Sequence, residues 1–352
     1  PSSAAESIDA TPGSNGMKIC IYGAGAIGVY AGARLAVTGR HEVSVIARGH
    51  TLAALRAHGW RLQTADGLVQ APARACESAA EPGVQDLVIV AVKAPALAEV
   101  ARCMAPLLGP ATIVLPAMNG VPWWFCVGLP GPAGDRALAS VDPDGVIAAG
   151  IPLAHVIGCV VHAATYTPEP GVARHIMGRD LIIGEPRGGA SARVAALQAV
   201  LDDAGFRTTA SDRIQRDIFY KLWGNMTTNP ISALTGATTD RIVDDDVVGA
   251  LTIQAMLEAA RVGERMGCAI AQTPAERHRI TRGLGAFKTS MLQDVEAGRA
   301  IELDSLVGAV RELGSFVGVE TPMIDAIFGL ARLFGRMHGL YPVAADTGHA
   351  TA

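Results

Sequence analysis

The chain has 352 residues, of which 50% are hydrophobic, 18% are charged and 40 are glycine. This composition is typical of a globular α/β protein with two domains of roughly 150 residues each, and it excludes a fibrous or largely disordered chain. The formal net charge is only −4 and no basic stripe is present, so the charge pattern gives no support to nucleic-acid binding.

The six cysteines form no CxxC pair and show no metal-ligand spacing to the nine histidines. They predict small, reduced core residues of a cytoplasmic protein without a metal site. The most apolar window, residues 146–164, is interrupted by Gly150, Pro152, His155 and His162. No transmembrane helix is therefore predicted, and the last part of the window, VIGCVVHAA at residues 156–164, favours a buried strand.

Residues 1–16, PSSAAESIDATPGSNG, are small and polar. They lack the basic and apolar regions of a secretory signal. We expect a disordered extension here, with the folded part of the chain beginning at Met17.

The sequence KICIYGAGAIGVYAGARLAVTGRHEVSVIARG, residues 18–49, reads as a strand, a glycine turn, an amphipathic helix and a second strand. This is one βαβ unit. Such a turn binds the pyrophosphate of a dinucleotide at the helix N-terminus, because its glycines allow a tight turn, close approach of the phosphates and close helix packing. The expected cofactor-binding residues of the turn are Gly23, Ala24, Gly25, Ala26, Ile27 and Gly28.

Arg48 stands at the end of the second strand, about twenty residues after the motif, where an acidic residue would accept hydrogen bonds from a ribose 2′-hydroxyl. A guanidinium suits a 2′-phosphate instead, so NADP(H) is favoured over NAD(H). An exposed loop arginine without such a role is the alternative.

Two further strands end in polar residues: DLVIVAVK ends at Lys93, and ATIVLPAMNG brings Asn119 just past its strand. Ligands of open parallel sheets bind outside the carboxyl ends of the strands. We therefore expect Lys93 and Asn119 to line the cofactor crevice. Residues 17–187 are predicted to form an NADP-binding Rossmann domain with a doubly wound sheet.

The β pattern stops after LIIGEPRGG, and the Gly/Pro-rich segment 186–189 is the expected hinge. An all-α substrate and catalytic domain is predicted for residues 188–337, and a flexible tail for 338–352. Apolar residues recur at helical spacing over 190–204, 213–228, 241–268, 274–297, 303–317 and 323–337.

The segment KLWGNMTTNP, residues 221–230, places Lys221, Asn225 and Asn229 four residues apart, which puts them on one helical face. A solvated stripe is the simplest explanation of a lysine in such a helix. Two asparagines at the same pitch favour a site, because Asn is a poor helix former. Pro230 is expected to bend or end the helix.

Taken together, the chain resembles the ketopantoate reductase (2-dehydropantoate 2-reductase) family over nearly all of residues 17–336. The resemblance is carried by GAGAIG at 23–28, VAVKA around Lys93, MNG at 118–120, KLWGNMTTNP at 221–230 and SMLQDVEAGRAIELD at 290–304.

The resemblance implies an NADPH-dependent reduction of 2-dehydropantoate to (R)-pantoate, a step toward pantothenate and coenzyme A. It implies that Lys221 is the general acid and that Glu302 orients this lysine or the substrate. By the same resemblance, Ser290 and Asn119 match groups that bind the substrate carboxylate, while Asn225 and Asn229 match amides that hold its hydroxyl and carbonyl ends.

Two departures from the family pattern leave the substrate open. Thr239 stands where family members carry a further asparagine, and the segment Pro122–His155, with Trp123 and Trp124, is longer than the fold needs. The tryptophans either wall the substrate pocket or anchor the loop by packing.

Two other functions stay open beside the first. One is reduction of another branched or aromatic 2-keto acid on the same fold, and the other is a non-catalytic NADP-sensing module. The sequence also leaves the oligomeric state open, a homodimer included.

Overall fold

The structure, a computed structural model, describes residues 16–343. The predictions for residues 1–15 and 344–352 therefore lie outside the described part of the chain. At residues 338–343, where the sequence predicts a flexible tail, Leu340 is buried and the Tyr341 hydroxyl donates a hydrogen bond to Asp304 at 2.7 Å. This first part of the tail is packed against the helical domain.

The first half of the chain alternates between strands and helices. In chain order its elements are β1 (Lys18–Tyr22), α1 (Ala26–Val37), β2 (Glu42–Ile46), α2 (Gly49–His58), β3 (Trp60–Thr64), β4 (Gly67–Ala71), β5 (Arg74–Cys76), β6 (Leu87–Val90), α3 (Leu97–Arg102), β7 (Ile113–Pro116), α4 (Val146–Gly150), β8 (Gly158–Tyr166), β9 (Val172–Gly184), α5 (Ala192–Asp203) and β10 (Arg207–Ala210).

Five of these strands form a parallel sheet in the order β5-β2-β1-β6-β7. Its strands are short and almost wholly apolar, as expected of a sheet covered on both faces. In β1, Ile19 and Ile21 pack into one core while Cys20 and Tyr22 pack into the other. The predicted Rossmann fold is confirmed, with the switch point of the sheet between β1 and β6.

A second, mixed sheet lies beside the first. Strand β9 pairs with β8 in antiparallel register and with β3 and β10 in parallel register, and β4 extends the sheet from β3. The prediction that the β pattern stops after Gly189 is wrong, because β10 follows α5. This strand is short and mixed in polarity, so only its pairing with β9 identifies it.

The second half is helical, as predicted. Its elements are α6 (Ile214–Thr235), α7 (Thr239–Asp244), α8 (Asp246–Arg265), α9 (Pro274–Arg282), α10 (Ser290–Glu296), a π-helical turn (Asp304–Gly308), α11 (Ala309–Val317) and α12 (Pro322–Met337).

Two of the predicted helices are each divided in two. The helix predicted at 241–268 breaks at Asp245, whose carboxylate accepts hydrogen bonds from Val247 N and Val248 N and so caps α8. The helix predicted at 274–297 is interrupted between α9 and α10, where a turn from Gly283 onward replaces it.

Pro230 does not end its helix, because α6 continues to Thr235, so that part of the expectation is wrong. Pro230 lies in the buried part of α6. Tertiary packing therefore holds the helix together where propensity alone would stop it.

The long connection Pro122–His155 is folded against the protein. It contains α4 and several single turns, and Trp123 and Trp124 are only 7% and 4% exposed. Both tryptophans thus anchor the segment by packing, and both also line a cavity described below.

Within residues 16–343 no helix is both long enough and apolar enough to cross a bilayer.

Candidate active site

The glycine turn between β1 and α1 has the shape that a dinucleotide pyrophosphate requires. Gly23 has φ +100°, and a Cβ there would lie 2.8 Å from the carbonyl oxygen of Ala91. A Cβ on Gly28 would lie 1.9 Å from the carbonyl oxygen of Gly23. Neither position therefore tolerates a side chain without displacement of the backbone around it.

The N-terminus of α1 is open to a ligand. Gly25 is its N-cap and offers no side-chain cap, and nothing lies within 4 Å of where its Cβ would be. Ala24, Ala26 and Ile27 are half-buried around it. The unpaired backbone N–H groups of this helix end are a ready site for phosphate.

Arg48 lies at the end of β2, as predicted, and is the N-cap residue of α2. Its guanidinium is already engaged by Glu99 of α3, with Nη1 donating to Oε1 at 2.8 Å and Nη2 donating to Oε2 at 3.2 Å. Glu99 was not singled out by the sequence, because nothing local links it to Arg48.

Lys93 follows β6 and reaches the helical domain. Its Nζ donates to Asp294 Oδ2 at 2.8 Å and to Glu302 Oε2 at 3.0 Å. Both carboxylates are buried, and Asp294 also accepts from Arg299 Nε at 2.9 Å. Burial lowers the pKa of Lys93, but the charges of Glu302 and Asp294 outweigh it, so this pKa is raised.

Glu302 is held between the two domains rather than against Lys221. Besides the ion pair with Lys93, its Oε1 accepts a hydrogen bond from the backbone N–H of Ala94 at 2.9 Å. Burial is the largest effect on Lys221 and lowers its pKa, and the charge of Glu302 opposes part of this shift.

Lys221 lies in α6 and points to the carboxyl edge of the parallel sheet. Its Nζ donates to Asn119 Oδ1 at 2.6 Å and to the carbonyl oxygen of Val161 in β8. Burial lowers its pKa to about 8. The structure therefore joins Lys221 and Asn119, which are 102 residues apart in the sequence.

The other predicted substrate-binding residues lie on helices α6 and α10. Asn225 is half-buried and lines a small cavity with Lys221 and Asn119, while Asn229 is buried one turn farther along α6. Ser290 begins α10, which packs against α6, but it lines neither of the cavities described here. Thr239 is buried and donates its hydroxyl to Gly285 O at 3.2 Å.

Two cavities meet at this site. The smaller, of about 10 Å³, has room for about one water molecule and is bounded by Lys221, Asn119 and Asn225. The larger, of about 340 Å³, is lined mainly by apolar side chains, Trp123 and Trp124 among them, and by Glu302. The two share the residues Met118, Asn119, Gly120, Cys159 and Ile218.

Arg277 is a further cation near the site that the sequence did not reveal. Its guanidinium packs on Gly224 of α6 and lies 5.3 Å from the ring centroid of Tyr220. Within residues 16–343 its buried Nε has no hydrogen-bond partner. Its charge lowers the pKa of Lys221, after the larger effect of burial. Only the fold brings the Arg277 side chain of α9 to α6, so no sequence pattern identifies it.

In the part of the chain that the structure describes, no group of three or more His, Cys, Asp or Glu side chains could hold a metal ion.

Comparison with known proteins gives one family. Residues 19–188 match the family described as "Ketopantoate reductase PanE/ApbA", and residues 213–334 match its C-terminal counterpart, "Ketopantoate reductase PanE/ApbA C terminal". A curated 2-dehydropantoate 2-reductase of Mesorhizobium japonicum is 44% identical over 325 residues, which are 92% of this chain and 100% of that protein.

Solved structures agree with these matches. A candidate ketopantoate reductase from Ralstonia solanacearum MolK2 has a TM-score of 0.88 and 53% identity, covering 93% of this chain and 100% of that one. A ternary structure of D-mandelate dehydrogenase with NADH and anilino(oxo)acetate has a TM-score of 0.78 at 21% identity, covering 92% and 100%. The second likeness concerns the fold alone.

Proposed function

The chain belongs to the ketopantoate reductase family, and from that premise we propose that it reduces 2-dehydropantoate to (R)-pantoate with NADPH, a step toward pantothenate and coenzyme A. It is an oxidoreductase that depends on a pyridine nucleotide. The observation that carries the proposal is the hydrogen bond between Lys221 and Asn119, by which a half-buried ammonium lies at the carboxyl edge of the Rossmann sheet.

The residues of the cofactor site fit a dinucleotide. The open N-terminus of α1 binds the pyrophosphate, and Gly23 and Gly28 keep the backbone free to approach it. Arg48 stands where a 2′-phosphate is recognised, and Lys93 and Asn119 line the same edge of the sheet. The reduced nicotinamide supplies the hydride that the reaction needs.

Lys221 acts as the general acid in this proposal. When hydride reaches C2 of the keto acid, the carbonyl oxygen becomes an alkoxide, and the Nζ of Lys221 stabilises that charge and donates the proton. A pKa of about 8 suits this task, because the lysine is still protonated near neutral pH and yet gives up its proton readily.

The neighbouring residues bind and position the substrate. Asn225 shares the small cavity with Lys221 and is proposed to hold the substrate oxygens together with Asn229. Ser290 and Asn119 are proposed to bind the carboxylate. Glu302 keeps negative charge near Lys221 and so favours its protonated form.

An assay of the purified protein with 2-dehydropantoate and NADPH tests the proposal, with the absorbance of the reduced nicotinamide as readout. We expect turnover, and its absence with folded protein would contradict the substrate assignment. A non-catalytic NADP-sensing module would instead bind NADPH without consuming it in the presence of any keto acid.

The large cavity favours a second candidate, reduction of a 2-keto acid with a bulkier branched or aromatic side chain. This cavity has a volume of about 340 Å³, is mostly apolar and has Trp123 and Trp124 in its wall. It adjoins the small cavity beside Lys221 at Asn119 and Gly120. A panel of 2-keto acids ranked by kcat/KM separates the candidates. A higher value for an aromatic keto acid than for 2-dehydropantoate would assign the protein to the second.

A homodimer and a cytoplasmic location stay predictions. Sedimentation velocity of the purified chain measures whether it forms a homodimer.

A further inference from the structure

Arg48 and Glu99 form an ion pair across the mouth of the cofactor crevice. Arg48 follows β2 and Glu99 lies in α3, which follows β6. Strand β1 lies between β2 and β6 in the sheet. The pair therefore joins the segments that follow the two neighbours of β1, the strand that leads into the glycine turn.

The carboxylate of Glu99 uses the same donor positions of Arg48 that a ligand phosphate would use. Its two oxygens accept from the two terminal nitrogens, at 2.8 Å and 3.2 Å, in the fork geometry of a bidentate pair. Arginine side chains bind phosphate groups through the same fork of N–H groups. Glu99 and a 2′-phosphate therefore cannot both occupy these donors.

The pair is open to exchange. The Arg48 side chain is 66% exposed and that of Glu99 is 57% exposed. Ion pairs in water are weak, because solvent screens the charges and both side chains must be ordered. A ligand anion can therefore displace Glu99, but the displaced carboxylate stays close to that anion and repels it.

We propose that Glu99 sets the cofactor preference of this protein by competing with the 2′-phosphate of NADP(H) for Arg48. With NAD(H) the ion pair stays closed, and Glu99 accepts a hydrogen bond from the ribose 2′-hydroxyl. Glu99 thus weakens NADP(H) binding and strengthens NAD(H) binding. The preference for NADP(H) over NAD(H) is therefore smaller than Arg48 alone would give. The inference depends on the proposed use of a nicotinamide dinucleotide at this site, but on no particular keto acid.

Direct titration of NADPH and NADH, followed by the fluorescence of the reduced nicotinamide at low salt, tests this role. For Glu99→Gln we expect the Kd for NADPH to fall about fivefold or more and the Kd for NADH to rise, because one repulsive charge and one acceptor are removed. For Arg48→Gln we expect the preference for NADPH to be lost. Glu42→Gln is the matched control, since Glu42 forms an exposed ion pair with Arg74 at the opposite end of β2.

The outcomes separate this inference from the proposed function. If the wild-type protein binds both cofactors and Glu99→Gln leaves the ratio of their Kd values unchanged, the role of Glu99 is disproved while the reductase proposal stands. If the ratio changes but 2-dehydropantoate is not reduced, the role of Glu99 holds and the substrate assignment fails. Binding of neither cofactor by the wild-type protein overturns both.

Discussion

The surroundings of Lys221 differ from those of an ordinary solvated lysine on a helix. Its ammonium is bonded to an amide oxygen of Asn119 and a backbone carbonyl of Val161. Neither partner is a carboxylate, so no ion pair compensates fully for burial, and the pKa falls to about 8. The sequence predicted the helical face of Lys221, but the pKa shift follows from groups of other elements.

Replacing Lys221 tests its proposed role. Lys221→Met removes the proton donor and the charge that stabilises the alkoxide, so kcat of keto-acid reduction should fall about 10²–10⁴-fold. The Kd for NADPH should change little. Lys18→Met, at the exposed start of β1, serves as the control and should leave kcat unchanged. Equal activity of Lys221→Met and wild-type protein would remove Lys221 from the mechanism.

The pH dependence of the rate follows from the same pKa. Only protonated Lys221 can donate, so kcat of reduction should fall as pH rises through about 8. Oxidation of the hydroxy acid should respond in the opposite sense, because the reverse reaction needs the deprotonated amine. Steady-state kinetics from pH 6 to 10 measures both, and a reduction rate that is flat across this range contradicts the assignment.

At the scale of single elements, the sequence predicted the kinds of structure better than their ends. The strand, turn and helix from β1 to β2 follow from local periodicity and three glycines, so the βαβ unit was identified correctly. Helical periodicity alone does not reveal a polar N-cap such as Asp245, because the apolar spacing continues on both sides of it. The strand β10 was missed because its only strong signal is pairing with β9.

The cap at Asp245 allows a test of one such boundary. Asp245→Ala removes the acceptor for two backbone N–H groups of α8, so the free energy of unfolding should drop by about 1 kcal/mol. Glu264→Ala, an exposed acid near the other end of α8, should change it by only a few tenths and in the stabilising direction. Urea denaturation measures both, and equal effects would refute the capping role.

At the scale of the whole molecule, charged contacts between the two halves could not be predicted. Lys93 pairs with carboxylates 201 and 209 residues away, and the Arg277 guanidinium packs on Gly224, which is far from it in the sequence. Local patterns hold no information about such distances. The strand pattern predicts Lys93 in the cofactor crevice and the family resemblance implies Glu302 beside Lys221, but neither predicts that Lys93 and Glu302 contact each other.

Because Lys93 contacts both Asp294 and Glu302, we expect the stability of the protein to depend on this lysine. Lys93→Met leaves two buried carboxylates without one of their partners, so the free energy of unfolding should fall by about 1–3 kcal/mol. Lys288→Met breaks an exposed pair with Glu296 and should cost less than about 1 kcal/mol. Thermal and urea unfolding measure the difference, and equal losses would mean that Lys93 is an ordinary surface lysine.

The hydrogen bonds of Lys221 cross the boundary between the two matched family regions. The lysine belongs to residues 213–334, whereas Asn119 and Val161 belong to residues 19–188. The surroundings of the proposed proton donor are thus built from both halves of the chain. A chimera that joins the Rossmann half of one relative to the helical half of another should therefore keep the proposed proton donor in place only if it also keeps these hydrogen bonds across the junction.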